Sequence, residues 1–135
     1  MSMIEFLHQL YKRPASERYV PYVFADGKVT KLQVVFQPPA SDESIEKLDQ
    51  LSIYALTPAY KQFLKQYNGV SFQFDDGYQH FEILSAEDAF ESQKSLMYGL
   101  TSGEAELLPF ASIMGEYIFL DLTRSERNVF FGSGA

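Results

Sequence analysis

The stretch Leu56-Thr57-Pro58-Ala59-Tyr60-Lys61-Gln62-Phe63-Leu64-Lys65-Gln66-Tyr67-Asn68-Gly69 decides the fold class. Thr57 suits a helix N-cap, and Pro58 suits the first helical position, where the N–H it lacks has no intrahelical partner anyway. Tyr60, Phe63, Leu64 and Tyr67 then recur at i, i+3, i+4 and i+7, which is one apolar face of a helix. Asn68-Gly69 reads as its end, since glycine takes the left-handed conformation of a helix terminus without steric cost. Val70–Phe74 follows at once and alternates as a strand. A capped amphipathic helix feeding directly into a strand predicts a chain that mixes the two element types.

Upstream, Ser41 or Asp42 caps an earlier helix with Ile45, Leu48 and Leu51 on its apolar face, and Pro38-Pro39 breaks whatever precedes it. Before that break, Tyr19–Phe24 and Val29–Phe36 flank Ala25-Asp26-Gly27-Lys28. Asp-Gly between two β-rich runs predicts a hairpin with a type I′ turn. Pro21 places its strand at a sheet edge or weakens the strand assignment, because proline has no N–H to give to a ladder. Met3, Ile4, Leu7, Leu10 and Tyr11 predict a short amphipathic helix at the start, stopped by Pro14.

Downstream, Asp75-Asp76-Gly77 reads as a turn and His80–Leu84 as the returning strand. Ser85, with Asp88 three residues on, opens a helix running to about Lys94. Met97–Glu106 is a polar loop, and Leu107–Ile113 a short strand. Tyr117–Leu122 is nearly all apolar, as expected of a strand covered on both faces. Thr123–Arg127 reads as a charged turn, Asn128–Phe131 as a last short strand, and Gly132–Ala135 as a flexible tail. No repeat or linker interrupts the pattern, so residues 1–135 are expected to form one α+β domain.

Composition bounds the function. The chain has 135 residues, 46% of them hydrophobic, so it can bury a core. It carries 12 Phe and 9 Tyr without a Trp, a set that supplies both core area and rigid interface side chains. Its net charge of −7 opposes free nucleic acid and favours a basic partner. With no Cys there is no disulfide, thiolate metal site or thiol nucleophile. The first residues lack the basic start of a signal peptide, and no segment reaches the length of a membrane span, so a cytoplasmic protein is expected.

The order of segments is similar to that of the SUKH superfamily, which includes fungal cell-wall assembly regulators and many bacterial immunity proteins. The likeness rests on Pro38-Pro39-Ala40-Ser41 before an acidic helix, then Leu56-Thr57-Pro58 leading into Tyr60-Lys61-Gln62-Phe63-Leu64 and Tyr67-Asn68-Gly69. It continues with Leu108-Pro109-Phe110-Ala111, Gly115-Glu116, a strand ending in Leu120-Asp121, and Val129-Phe130-Phe131. It covers about residues 36–131. Thr57 interrupts the usual Leu-Pro pair, and Glu116 stands where Asp is usual. The resemblance implies helices packed mainly on one side of a mixed or antiparallel twisted sheet. Pro58, Tyr60, Phe63, Leu64, Asn68, Gly69, Pro109 and Gly115 would be structural positions of the pattern. It also implies action by binding: bacterial members are typically encoded beside secreted toxins and neutralise them, whereas fungal members act as signalling scaffolds.

No residue set in the sequence reads as catalytic, and no cofactor is expected. His8 and His80 lack neighbouring ligand residues at metal-binding spacing. Asp75-Asp76-Gly77 lacks the alternating oxygens of a calcium loop. Ser133 sits in a terminal Gly-Ser-Gly, not between a strand and a helix. The acidic residues Asp75, Asp76, Glu104, Glu106, Glu116 and Asp121 fall in turns or at strand ends. Gathered on one edge they would form an anionic surface, with Tyr78, Tyr98 and Tyr117 as anchors; left apart, they are solvated loop charges. The expected function is thus non-enzymatic: an immunity protein for a basic toxin domain, or else a scaffold binding a peptide or small ligand. A homodimer through the Pro-bearing edge is compatible with the sequence.

Overall fold

The computed structural model describes residues 3–51, 55–96 and 107–122. The expected strand Asn128–Phe131, the loop Met97–Glu106 and the tail lie outside the described residues. Among the described residues four α-helices, α1 (Met3–Tyr11), α2 (Asp42–Asp49), α3 (Pro58–Gln66) and α4 (Ala86–Leu96), accompany six strands. The strands are β1 (Tyr19–Val23), β2 (Val29–Phe36), β3 (Val70–Gln73), β4 (Gln79–Ile83), β5 (Leu107–Ile113) and β6 (Glu116–Asp121). They form one sheet in the order β1-β2-β3-β4-β5-β6, every pair antiparallel. The α+β class read from the sequence is the observed one.

Local chemistry explains the helix starts. Ser41 Oγ accepts from Ser44 N at 3.1 Å, Thr57 Oγ1 from Tyr60 N at 3.3 Å, and Ser85 Oγ from Asp88 N at 3.0 Å. Each side chain satisfies a donor that a helix end leaves open. Arg18 serves the opposite end of α1. Its guanidinium donates to Tyr11 O at 2.8 Å and Arg13 O at 3.0 Å, and lies 4.5 Å from the Tyr11 ring centre. Lys61 pairs with Asp49 at 2.7 Å, and Asp49 also accepts from Leu56 N, which ties α3 to the end of α2.

One face of the sheet carries the core. Val34, Val70, Ile83, Ala111 and Leu120 are buried there with Leu7 and Leu10 of α1, Ile45 and Leu48 of α2, Tyr60, Phe63 and Leu64 of α3, and Ala86 and Ala89 of α4. Burial pushes the Tyr60 hydroxyl well above the usual phenol range. Alternate residues on the sheet, among them Gln33, Gln73, Glu82 and Ser112, are less buried and polar, in keeping with a sheet covered on one side. Pro109 sits inside the sheet on β5, where a register shift between Pro109 and Ala111 accommodates its missing donor. Pro21 lies on β1, at the edge.

Three sequence expectations change. The Asp26-Gly27 turn is not type I′: among the described residues only Met114 has positive φ besides glycines, so Asp26 does not. Phe24 N donates to Lys28 O at 2.8 Å, and Gly27 N to Phe24 O at 2.9 Å, which closes a three-residue loop with Gly27 at φ 90°. The two-residue turn with both central φ positive occurs instead at Met114 (49°) and Gly115 (88°), between Ile113 and Glu116. Second, α3 ends before Asn68-Gly69: Tyr67 is already extended at φ −139°, and Gly69 has a different task described below. Third, β6 is not covered on both faces by the described residues. Leu120 is buried and Ile118 packs on the core, whereas Tyr117 and Phe119 are 40% and 36% exposed.

Candidate protein-binding surface

In a sheet whose strands pair in chain order, all antiparallel, successive connections alternate between the two ends, so the first, third and fifth share one end. The turns 24–28, 74–78 and 114–115 therefore share that end. Successive hairpins lie two strand spacings apart, about 10 Å. Asp75, Asp76 and Tyr78 sit on the middle turn, while Glu116 and Tyr117 begin β6 at the neighbouring one. Asp121 ends β6 and lies at the opposite end of the sheet, paired with Leu107, so it does not join them. Tyr98, Glu104 and Glu106 lie outside the described residues.

The first two turns are copies. Phe24-Ala25-Asp26-Gly27-Lys28 and Phe74-Asp75-Asp76-Gly77-Tyr78 share the pattern Phe-x-Asp-Gly. In the second, Phe74 N donates to Tyr78 O at 2.9 Å and Gly77 N to Phe74 O at 2.8 Å, as in the first. Asp26 Oδ1 accepts from Lys28 N at 3.0 Å and Asp76 Oδ1 from Tyr78 N at 2.8 Å. Each Asp thus locks its own turn, the usual use of a short acid in a loop. Asp75 makes no such bond and is exposed.

The repeat stacks Phe24 on Phe74, with ring centres 5.9 Å apart and planes 14° from parallel. Tyr22 meets Phe24, Phe74 and His80 edge-on at 5.2, 5.4 and 4.7 Å, and Tyr78 stacks on Phe74 at 6.4 Å. Reading along single strands misses Tyr22, Phe24, Phe74 and His80 as site residues, although the duplicated Phe-x-Asp-Gly is a signal that points to them. Phe24 and Tyr78 are 42% and 57% exposed. With Thr30, Asp75 and Asp76 these rings line a shallow depression of about 380 Å³. An exposed aromatic cluster bordered by Asp75 and Asp76, with Asp26 and Lys28 on the adjoining turn and Glu116 on the next hairpin, offers large rigid contact area beside acidic groups, which suits a protein surface bearing Lys or Arg. Tyr117 is set apart from the cluster, its hydroxyl 3.2 Å from Ser92 Oγ on α4.

At the other end of β3, Asn68 joins three segments. Its backbone N–H donates to Pro38 O at 2.9 Å, its side-chain oxygen accepts from Ala86 N at 2.7 Å, and its Nδ2 donates to Glu87 Oε1 at 2.7 Å. The family model described as SMI1 / KNR4 family (SUKH-1) matches residues 39–133, a span that includes the Tyr-Lys-x-Phe-Leu segment and this Asn-Gly junction. The chain belongs to that family. No curated protein and no solved structure matches it. The residues singled out by the resemblance have structural places: Pro58 opens α3, Tyr60, Phe63 and Leu64 fill the core, Asn68 and Gly69 join α3 to β3 and α4, and Pro109 and Gly115 shape β5 and its turn. The family covers immunity proteins and fungal regulators. The matched span leaves out the β1–β2 hairpin, so Tyr22 and Phe24 come from outside it.

Glu87 offers a check on the junction. Ser44 Oγ donates to its carboxylate at 2.6 Å and Asn68 Nδ2 at 2.7 Å, and these bonds hold the group below the usual carboxylate range. A carboxylate with a lowered folded-state pKa contributes stability above its unfolded pKa and loses it as pH falls through the folded value. Glu87 is exposed, so Glu87→Gln is expected to cost about 1 kcal/mol or less at neutral pH. The gap from wild type should close in acid. Urea midpoints of both proteins across the acid range measure this; a pH-independent gap would refute the assignment.

Proposed function

We propose that this SUKH-1 protein is a non-enzymatic immunity protein that binds and neutralises a basic toxin domain. The observation that carries the reading is the shared hairpin end, where exposed rings lie beside Asp75 and Asp76 in a chain of net charge −7. Such a surface covers a partner's cationic substrate groove with area from the rings and steering from the charge. The family's immunity members give the reading its biological frame. The cavities in the described residues are open and bordered by polar or charged groups, which suits a protein partner better than a small apolar ligand.

The test is co-purification with the product of the neighbouring gene, followed by titration. Capture and loss of that protein's toxicity are the expected results; a soluble, active neighbour that is neither bound nor inhibited would overturn the proposal. Two substitutions localise the contact. Tyr78→Ala is expected to weaken binding roughly thirtyfold, the loss of one aromatic anchor of about 2 kcal/mol. Asp75→Lys is expected to slow association and flatten its salt dependence. Both side chains are exposed, so melting temperatures should hardly move. Unaltered affinity in both variants would move the contact away from this end.

A further inference from the structure

A second cavity, of about 470 Å³, runs from the β3–β4 strand pair across the Asn68-Gly69 junction to the start of α4. Its fourteen lining residues include three carboxylates, Glu82, Glu87 and Asp88, and no Lys, Arg or His. The walls are otherwise rich in amides and hydroxyls. Gln73 Nε2 donates to Ser71 Oγ at 3.0 Å, Ser71 Oγ donates to Gln79 Oε1 at 3.3 Å, and Gln79 Nε2 donates to Glu82 Oε2. The relay uses one N–H of the Gln73 amide and one of the Gln79 amide. It leaves the Gln73 side-chain oxygen, the second Glu82 oxygen and the Asp88 carboxylate as acceptors facing an open groove.

We propose that this groove receives an arginine side chain of the partner protein, its guanidinium held between Glu82 and Asp88 and donating to the Gln73 side-chain oxygen. The warrant is complementarity of charge and of hydrogen-bond type. A groove with open carboxylate oxygens and no lining cation suits a planar cation with several N–H donors. Glu82 is half-buried, and its burial and the charge of Asp88 both disfavour its ionised form; a bound cation relieves both. Glu87 is already committed to Ser44 and Asn68 and forms a wall. Gln73 and Gln79 flank the Phe74–Tyr78 turn, so the groove adjoins the aromatic end and one partner can engage both.

This inference rests on the protein-binding reading and names the chemistry of one contact, and its test needs no toxin. The isotope-labelled 135-residue chain is titrated with the peptide acetyl-Gly-Arg-Gly-amide and, separately, with the same peptide carrying citrulline, the uncharged isostere of arginine. The arginine peptide is expected to shift the side-chain amide signals of Asn68, Gln73 and Gln79 saturably, and citrulline is expected to leave them in place. Glu82→Gln should weaken the arginine peptide about tenfold. Its melting temperature should hold or rise, since the variant removes a charge that burial disfavours. Equal shifts from both peptides, no saturable shift at these amides, or shifts confined to Asp75–Tyr78 would overturn the arginine site. Those results would leave toxin capture by the hairpin end standing, which co-purification decides on its own.

Discussion

Gly69→Ala is expected to destabilise the fold by about 3 kcal/mol or more, from two independent causes. Gly69 has φ +99°, a region that costs an L-residue about 1–2 kcal/mol. A Cβ there would also lie 2.8 Å from Ile83 O and 3.0 Å from Ser85 N, both backbone atoms of the β4–α4 passage. Gln37 N donates to Gly69 O at 3.1 Å, and Asn68 is bonded on both sides, so the junction has little freedom to shift away. Gly27 supplies the internal comparison. It has nearly the same φ, +90°, and a Cβ added there would meet nothing within 4 Å, so Gly27→Ala isolates the conformational cost at about 1 kcal/mol. Urea midpoints for the two alanine variants separate the causes. Equal losses would mean that close approach contributes nothing at Gly69.

Phe63→Ala is expected to cost about 3–5 kcal/mol, a large share of the 5–15 kcal/mol typical of a domain. Phe63 is 0% exposed at the middle of α3, 5.8 Å from the Tyr67 ring, with Tyr60 and Leu64 beside it. Truncation removes a ring from a closely packed core and leaves a cavity that the surrounding side chains cannot fill without rearrangement. Phe63→Leu keeps most of the volume and should lose about 1–2 kcal/mol. Chemical denaturation measures both; an alanine variant within 1 kcal/mol of wild type would show that α3 is not the centre of the core, as reckoned from ~25 cal/mol per Å² of buried apolar surface.

The stretch around Phe63 is readable because its signals are local. Thr57, Pro58 and the i, i+3, i+4, i+7 apolar set each act within one or two helical turns, and the resulting helix has the expected cap and buried face. The caps of α2 and α4 are legible for the same reason. Turn geometry is not. Asp26-Gly27 satisfies two hairpin types, and the choice is set by which flanking residues pair, here Phe24 with Lys28. Gly69 looks like a helix terminator because glycine after a helix usually is one; its actual constraint comes from Ile83 and Ser85, which are distant in sequence. The apolar run of β6 suggests two covered faces, yet its position beyond β5 leaves Tyr117 and Phe119 exposed among the described residues.

The candidate surface divides along the same line. Asp75, Asp76 and Tyr78 are neighbours in the chain, so their association needs only a turn. Their proximity to Phe24 and Glu116, and the separation of Asp121, depend on strand order and on which end each turn occupies. Periodicity along one strand carries no information about that order. Matching chemistry at both Phe-x-Asp-Gly turns is the one sequence feature that crosses the gap, since like turns in adjacent hairpins put like residues side by side.

The in-order arrangement of the sheet has a consequence for how such a protein diversifies. Each tip is a closed unit whose ends are fixed by its own two strands, so a tip can be lengthened, shortened or recharged while the pairing of the next hairpin stays where it was. The constant labour of folding falls to α3 and the Asn68-Gly69 crossing, at the far end of the strands. If the tips bind the partner as proposed, specificity can be altered at three short loops on a frame that need not be redesigned.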